Sequence, residues 1–366
     1  MLYPLRFKEI LRNYSFGNRW IVEAYAKEGL PEDQRVAETW EVCDRPGESS
    51  VVVNGQLSGQ TLHELIERYG EALLGRDVIA RFGTRFPLLV KFLDASHPLG
   101  EQAHHSDELA ARRGLSDPGK TEAWYMLKNR RGATIRCGQA GEAVDRETVR
   151  QALLAGTIRE QMREYVVQPG DAFLLYAGTM HYSAGGVLFY EIMQNSDVYI
   201  GLRQPDSSLP AADREVQVQA ALEGVHLEAG YECKIAPVKL QEGANERQLV
   251  MACEYFALER LDLSEPYLLD GEGKRFYVLS QIEGGCTVEW QDGEEHLLAG
   301  NSCLIPAGMG AVRLAPSPGC ALLKAYAPDL AQDIIRPLRA AGVSDERIAA
   351  LGGRTRLNPL PDLLKG

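Results

Sequence analysis

Apolar and polar positions in the first half of the chain alternate over short distances and predict β-strands. Residues 88–93 form an apolar run typical of a buried strand, and residues 37–42 alternate with a period of two. Thr61 and Glu64 have the spacing of a capping box and predict the start of a helix. Residues 145–165 carry an imperfect apolar stripe at helical spacing. We therefore expect β-strands with helical insertions.

Short strands separated by Gly and Pro turns continue from about residue 231 and predict a sandwich or small barrel. Residues 204–214 are rich in Pro, Asp and Ser and predict a linker. Helical spacing returns in the tail. The pattern predicts a mainly β protein with an N-terminal domain over 1–230, a C-terminal domain over 231–328 and a helical tail over 329–366.

One segment of the first half recurs about 130 residues later. Residues 170–178 and 300–308 both predict a turn, a strand and a second turn. His181, just after the first copy, falls on Ala311 in the second. Because the strand and turns recur without the histidine, we expect His181 to bind a ligand rather than to support the strands.

Composition and charge argue against several classes of function. The chain has 366 residues, of which 45% are hydrophobic and 25% charged, and its net charge of −12 argues against nucleic-acid binding. No apolar run is long enough to span a bilayer, and the first residues lack a signal-peptide core. We expect a cytoplasmic protein without membrane partners. Its seven scattered cysteines form no CxxC pair and are expected to be reduced.

Four residues could together hold a metal ion. Gln102 and His104 are two positions apart, so in a strand they point to the same face. Glu122 could join them from the returning strand, and His181 is a fourth candidate. Imidazole, amide and carboxylate groups suit zinc or a similar divalent ion.

Two neighbouring polar residues have simpler explanations. His105 would point to the opposite face of a strand from His104, so we expect a surface or supporting role for it. Glu38, in the alternating segment, is expected to be a solvated or paired acid rather than a functional carboxylate.

Four motifs, taken in order, give the chain a family resemblance. They are QAH at 102–104, GKTEAWY at 119–125, GTMH at 178–181 and QNSD at 194–197. With these motifs the chain resembles the class I mannose-6-phosphate isomerases of the short bacterial type, which belong to the cupin superfamily. The similarity extends more weakly over the C-terminal β domain.

The resemblance implies two cupin-type (jelly-roll) β domains and one zinc ion per chain, with other divalent metals as alternatives. The implied zinc ligands are Gln102, His104, Glu122 and His181. It also implies a small-molecule sugar phosphate as substrate, with mannose 6-phosphate and fructose 6-phosphate interconverted through an enediol or enediolate.

Such a reaction needs a Lewis acid and a base that carries a proton between two carbons. Zinc fits the first role. Lys120 is a candidate for the second because it could share the face of Glu122, although it could equally be a surface lysine. Glu191 and Asp197 could order water, substrate hydroxyls or a basic partner. Spacing alone does not choose the base among them.

The chain departs from the family at two positions. Gly201 stands where the family has its catalytic arginine, and His105 stands where proline is usual. Arg203 could replace that arginine, because two residues along an extended segment restore the same face; it could equally be a solvated residue of the linker. Two alternatives stay open: an isomerase or epimerase for a different sugar, and a cupin that binds sugar as a regulatory module with weak or no isomerase activity.

Overall fold

The computed structural model describes residues 2–25, 27, 34–142 and 144–365. The strands up to residue 201 are β1 (Leu5–Arg6), β2 (Ile10–Arg12), β3 (Glu38–Val42), β4 (Asp44–Arg45), β5 (Glu48–Ser49), β6 (Leu88–Ala95), β7 (Leu99–Ala103), β8 (Glu122–Asn129), β9 (Thr134–Gln139), β10 (Met162–Val166), β11 (Ala172–Leu175), β12 (His181–Ser183), β13 (Val187–Gln194) and β14 (Ile200–Gly201). The later strands are β15 (Lys234–Ile235), β16 (Val238–Glu242), β17 (Asn245–Ala252), β18 (Ala257–Leu263), β19 (Tyr267–Leu269), β20 (Tyr277–Glu283), β21 (Gly285–Trp290), β22 (Gly293–Leu298), β23 (Ser302–Ile305), β24 (Val312–Pro316) and β25 (Cys320–Tyr326).

The α-helices are α1 (Trp20–Ala24), α2 (Leu62–Tyr69), α3 (Glu71–Leu74), α4 (Arg76–Phe82), α5 (Asp107–Arg112), α6 (Arg146–Ala155), α7 (Ala211–Glu223), α8 (Arg336–Ala340), α9 (Asp345–Ala350) and α10 (Leu360–Leu363). Short 3₁₀ turns lie at Gly55–Leu57, Ile158–Gln161 and Ala307–Met309, and a π-helical turn lies at Leu330–Ile335. None of the described helices is long and apolar enough to cross a membrane. The prediction of a mainly β protein with helical insertions and a helical tail is confirmed.

Two seven-stranded antiparallel sheets dominate the fold. The first has the order β15-β11-β8-β13-β6-β3-β2 and the second the order β1-β23-β20-β25-β18-β17-β16. A five-stranded sheet, β10-β9-β12-β7-β14, accompanies the first, and a four-stranded sheet, β19-β24-β21-β22, accompanies the second. Leu279 of the second large sheet and Val288 and Leu314 of its smaller partner belong to one buried core. Each pair of sheets therefore forms a barrel-like sandwich with an interior of its own.

The repeated segment occupies the same place in both large sheets. β11 lies second from one edge and β23 holds the equivalent position, and each is covered by a short edge strand from the other half of the chain. Leu5 of β1 pairs with Leu304, and Ile235 of β15 pairs with Ala172. The two halves thus complete each other's sheets across the boundary proposed at residue 230. That boundary stays a prediction.

Two local predictions were wrong. The helix expected over 145–165 ends at Ala155, because Gly156 adopts the left-handed conformation that stops helices, and the chain then forms β10. The region expected to be a linker, 204–214, already contains the start of α7. The capping box of α2 is confirmed: the Thr61 side chain accepts from Glu64 N, and the Glu64 carboxylate accepts from Thr61 N.

The tail closes the second barrel. Ile334, Leu338 and Ile348 are buried in the same core as the interior residues of that barrel. The Asp329 side chain accepts hydrogen bonds from Ala331 N and Gln332 N and so begins the first turn of the tail. The apolar side chains of the tail therefore extend the packed core of the second barrel.

A buried cluster of charges lies inside the second barrel. The Glu259 carboxylate accepts from Arg247 Nε at 2.6 Å and from Tyr326 Oη at 2.6 Å, and Lys324 Nζ lies 3.0 Å from it. Although burial alone would raise it, Lys324 and Arg247 hold the pKa of Glu259 at about 2. Glu259 therefore stays ionised and compensates the buried Lys324 and the half-buried Arg247.

Replacing Glu259 by Gln should lower the free energy of unfolding at pH 7 by about 3–5 kcal/mol, because the buried Lys324 and the half-buried Arg247 lose their counter-charge. The wild-type contribution should decline as the pH falls from 4.5, the ordinary pKa of a glutamate, toward about 2, since the folded-state pKa is the lower one. Urea unfolding followed by circular dichroism at several pH values measures the loss of stability and its pH dependence. Glu289→Gln, which breaks an exposed ion pair with Arg313, is the control and should cost less than about 1 kcal/mol. Equal effects of the two substitutions would contradict the assignment.

Candidate active site

Three buried side chains converge between the layers of the first barrel. His104 follows β7, His181 begins β12 in the same small sheet, and Glu122 begins β8 in the large sheet. His104 Nε2 lies 3.2 Å from Glu122 Oε2, and His181 Nε2 lies 3.2 Å from Glu122 Oε1. One ligand atom from each residue falls within 4.8 Å of the others, and all three residues are buried. The two sheets thus bring together donors that are far apart in sequence.

Hydrogen bonds fix the tautomer of both imidazoles. His104 Nδ1 donates to Val198 O at 3.2 Å, and His181 Nδ1 donates to Thr179 O at 2.8 Å. Because a carbonyl oxygen only accepts, the proton of each neutral ring lies on Nδ1 and the lone pair lies on Nε2. Hydrogen bonds of this kind orient metal-binding histidines.

The resulting cluster fits a cation. Both Nε2 atoms and Glu122 Oε1 are buried without a hydrogen-bond partner, and Glu122 Oε2 has an ion pair with Lys120. Burial lowers the pKa of His104 to about 3, so this ring is neutral at pH 7. Against the burial that would raise it, Lys120 holds the pKa of Glu122 well below its usual value. Lone pairs that face one another in a buried space repel unless a positive ion lies between them, and two imidazoles with a carboxylate suit zinc.

Gln102 lies beside this set. It pairs with His181 across β7 and β12, and with Gly201 of β14 on its other side. Gln102 also lines the adjoining pocket. Its place as a fourth ligand remains a prediction. His105 instead accepts from Arg113 Nη1 at 3.0 Å, and burial lowers its pKa.

A pocket of about 600 Å³ adjoins the ligand set. Charged residues line its interior, and aromatic residues line part of its rim. Lys120, which lines it, places Nζ 2.8 Å from Glu122 Oε2. Lys120 is itself buried, so the lysine is part of the pocket wall and not of the outer surface.

Sequence reasoning missed Lys91, the centre of a second charged group in this pocket. Its Nζ lies 3.3 Å from Glu38 Oε2 and 3.3 Å from Glu191 Oε2. The indole of Trp40 donates to Glu38, and that of Trp124 donates to Glu191. Although burial opposes it, Glu38 and Glu191 raise the pKa of Lys91, and burial raises that of Glu191. The available signal was a single charge inside the apolar run at 88–93, since a buried lysine requires partners.

The expectation that Glu38 is a paired acid agrees with this ion pair. Two further charged residues of the pocket, Asp197 and Arg203, are exposed. Their side chains form no ion pair within the residues that the structure describes. A Cβ built on Gly201 would lie 3.7 Å from Arg203 Nε and 4.0 Å from Arg203 Nη2. The Arg203 guanidinium therefore lies directly beside position 201.

The second barrel has no comparable cluster. Across the described part of the chain, the three buried residues above are the one group of His, Cys, Asp or Glu that could hold a metal. His296 in the second barrel is 68% exposed in its side chain, and its Nδ1 lies 2.9 Å from Thr287 Oγ1. All seven cysteines are free and buried.

Two protein-family models match parts of this chain. Phosphomannose isomerase type I, catalytic domain, matches residues 5–133, and mannose-6-phosphate isomerase, cupin domain, matches residues 245–320. Mannose-6-phosphate isomerase ManA of Bacillus subtilis is 29% identical over 321 residues, covering 85% of this chain and 95% of the relative. Mannose-6-phosphate isomerase of Streptococcus mutans is 29% identical over 295 residues, covering 74% and 89%.

Solved structures share the fold. The mannose 6-phosphate isomerase from Bacillus subtilis superposes with a TM-score of 0.76 at 23% identity, over 88% of this chain and 99% of that one. A putative mannosephosphate isomerase from Archaeoglobus fulgidus gives 0.70 at 22% identity, over 89% and 98%. The cupin fold expected from the resemblance is confirmed.

His104→Ala and His181→Ala should each remove most of the metal that copurifies with the protein, because each deletes one of three converging donors. Elemental analysis of the folded variants measures the loss. His296→Ala is the matched control and should keep wild-type metal content and turnover. Full metal content in both His104→Ala and His181→Ala, or loss of metal in His296→Ala, would contradict the assignment of the metal site.

Proposed function

We propose that this chain, which belongs to the type I phosphomannose isomerase family, interconverts mannose 6-phosphate and fructose 6-phosphate with the help of a divalent metal. The observation that carries the proposal is the buried cluster of His104, Glu122 and His181, whose unprotonated atoms converge beside a charged pocket. The family indicates the reaction class, sugar-phosphate isomerisation, and the cluster offers the residues that could bind the metal for it.

The metal that fits best is zinc, one ion per chain, with Gln102 completing the set. When bound, the ion polarises a carbonyl oxygen of the sugar and stabilises the negative charge that develops on it. Val198 O and Thr179 O hold the two imidazoles in the orientation that leaves Nε2 available.

Proton transfer falls to Lys120 in this proposal. It is the lysine in direct contact with the ligand set, at 2.8 Å from Glu122 Oε2. As the base, Lys120 removes the proton from C2 of the aldose and returns it to C1, while the proton of the C2 hydroxyl passes to the C1 oxygen, so that the aldehyde becomes the ketone. Glu191 and Glu38 are held by Lys91 and by two indoles, so they form a fixed wall that orients substrate hydroxyls. Asp197 at the rim is placed to accept a hydrogen bond from a substrate hydroxyl.

Arg203 provides the positive charge that Gly201 cannot. Its guanidinium lies beside position 201, it lines the pocket, and no carboxylate neutralises it within the described residues. Since glycine leaves that space open, the arginine from two positions later can occupy it. We assign Arg203 to the substrate's phosphate or to the developing enediolate, both of which are anionic.

Metal-loaded protein should convert mannose 6-phosphate to fructose 6-phosphate in an assay coupled to glucose-6-phosphate formation and NADP⁺ reduction. Unphosphorylated mannose should react at least about 100-fold less efficiently, because it lacks the group that Arg203 binds. Protein stripped by a chelator is the control. No turnover of mannose 6-phosphate, together with stabilisation by it in thermal unfolding, would favour the regulatory binding module instead.

Arg203→Ala should lower turnover more than tenfold, within the range of about 100- to 1000-fold that one well-placed donor can contribute. Bound metal should not change. Adding Gly201→Arg to this variant should recover much of the lost rate, because it places a guanidinium on the neighbouring position. Arg313→Ala, at an exposed pair in the second barrel, is the control. Wild-type kinetics in Arg203→Ala would show that the arginine is solvated only.

A further inference from the structure

Only two aromatic side chains are exposed among the described residues, and both line the metal pocket. Tyr14 is 43% exposed and Tyr199 is 57% exposed. Every other described Phe, Tyr and Trp is buried or half-buried. Aromatic surface left in water is unfavourable, and its concentration at one pocket is typical of ligand recognition.

A tight turn holds Tyr14 at the rim. Gly17 N donates to Tyr14 O at 3.2 Å, and His97 N donates to Phe16 O at 2.8 Å. Gly17 packs so closely on Ala37 that an added Cβ would lie 2.3 Å from Ala37 Cα. The Tyr14 and Phe16 rings lie 5.6 Å apart. The turn is therefore anchored at its base, and its exposed ring projects from a fixed support.

Tyr199 is tied to the metal site itself. The preceding residue, Val198, supplies the carbonyl that orients His104, and the following residue, Ile200, pairs with Ala103 in β14. A Cβ on Gly201 would lie 3.7 Å from the Tyr199 ring. The backbone on both sides of Tyr199 is thus fixed relative to the ligand set, which is an arrangement suited to positioning a substrate.

The charges of the pocket leave one part of a sugar without a partner. Lys91, Lys120, Glu191 and Arg203 offer hydrogen bonds and ion pairs to hydroxyls and to a phosphate. A hexose ring also has faces formed by C–H groups, which gain nothing from charged neighbours but pack well against aromatic rings. Tyr14 and Tyr199 are the side chains of this rim that offer exposed aromatic surface.

We infer that Tyr14 and Tyr199 form an aromatic clamp that binds the C–H surface of the hexose ring and selects a cyclic sugar as the form that enters the pocket. The inference rests on the proposed function, which it deepens by naming two residues that determine substrate binding. The clamp contributes to binding before the chemical step, so its loss affects KM and leaves kcat largely intact.

The test compares Tyr14→Ala and Tyr199→Ala with the corresponding Phe variants in zinc-loaded protein. Each Ala variant should raise KM for mannose 6-phosphate by roughly 3- to 10-fold, the usual contribution of one aromatic contact, with kcat within about threefold of wild type. Each Phe variant should recover most of the lost affinity because it keeps the ring. Leu268→Ala, at a 69% exposed residue of the second barrel, is the control.

Calorimetric binding of mannose 6-phosphate and of inorganic phosphate separates this inference from the proposed function. The Ala variants should bind mannose 6-phosphate more weakly and inorganic phosphate as the wild type does. If the wild type shows no turnover, the proposed function fails, and the same binding comparison still decides the clamp. Unchanged binding of mannose 6-phosphate in both Ala variants overturns the clamp. An equal loss of affinity in the Phe variants also overturns it, because it would assign the effect to the hydroxyl groups. An equal loss of inorganic phosphate binding in the Ala variants overturns it as well.

Discussion

The convergence of two buried imidazole Nε2 atoms on one buried carboxylate is the constraint on which the first barrel depends. Glu122 faces two Nε2 atoms at 3.2 Å, and backbone carbonyls prevent either imidazole from turning its N–H toward the carboxylate. Lys120 Nζ contacts Glu122 Oε2 but leaves both Nε2 atoms without a partner, so without a cation facing these two atoms the arrangement would cost free energy. The strands β7, β8 and β12 hold the groups in place because their ladders are anchored by buried apolar neighbours, so the fold supplies the rigidity and a bound cation would supply the attraction.

The two barrels show what one architecture does with and without that constraint. In the large sheets, Glu122 pairs with Leu175 and Tyr277 pairs with Ile305, so Tyr277 stands where the first barrel has its carboxylate. Ala311 stands where the first barrel has His181. The ion groups are also related by position, with opposite signs: in the first barrel Lys91 lies between two glutamates, and in the second Glu259 lies between a lysine and an arginine. The second barrel is therefore a packed support, while the first keeps its polar interior open to a pocket.

Local sequence pattern predicted the strands, and the short motifs pointed to His104, Glu122 and His181, which the structure brings together, because alternation and motifs depend on neighbours along the chain. It did not predict Lys91, whose burial depends on Glu38 and Glu191 from two other strands. It also placed a helix over residues 156–165, where strand pairing with β9 prevailed over a weak helical stripe. The exchange of β1 and β15 between the sheets is likewise nonlocal, so no window of sequence contains the information. The spacing of Arg203 and Gly201 suggested that the arginine could reach the position of the glycine. Only the side-chain position in the structure showed that its guanidinium lies beside Gly201.

The central claim, that the buried cluster is the metal site of an isomerase, is tested most directly by titrating metal-free protein with zinc while turnover of mannose 6-phosphate is followed. The account predicts negligible activity without metal, a linear rise up to one equivalent of zinc per chain and a plateau beyond it, with no such rise for His181→Ala. Full activity in the metal-free protein, or a rise that His181→Ala shares, would contradict it.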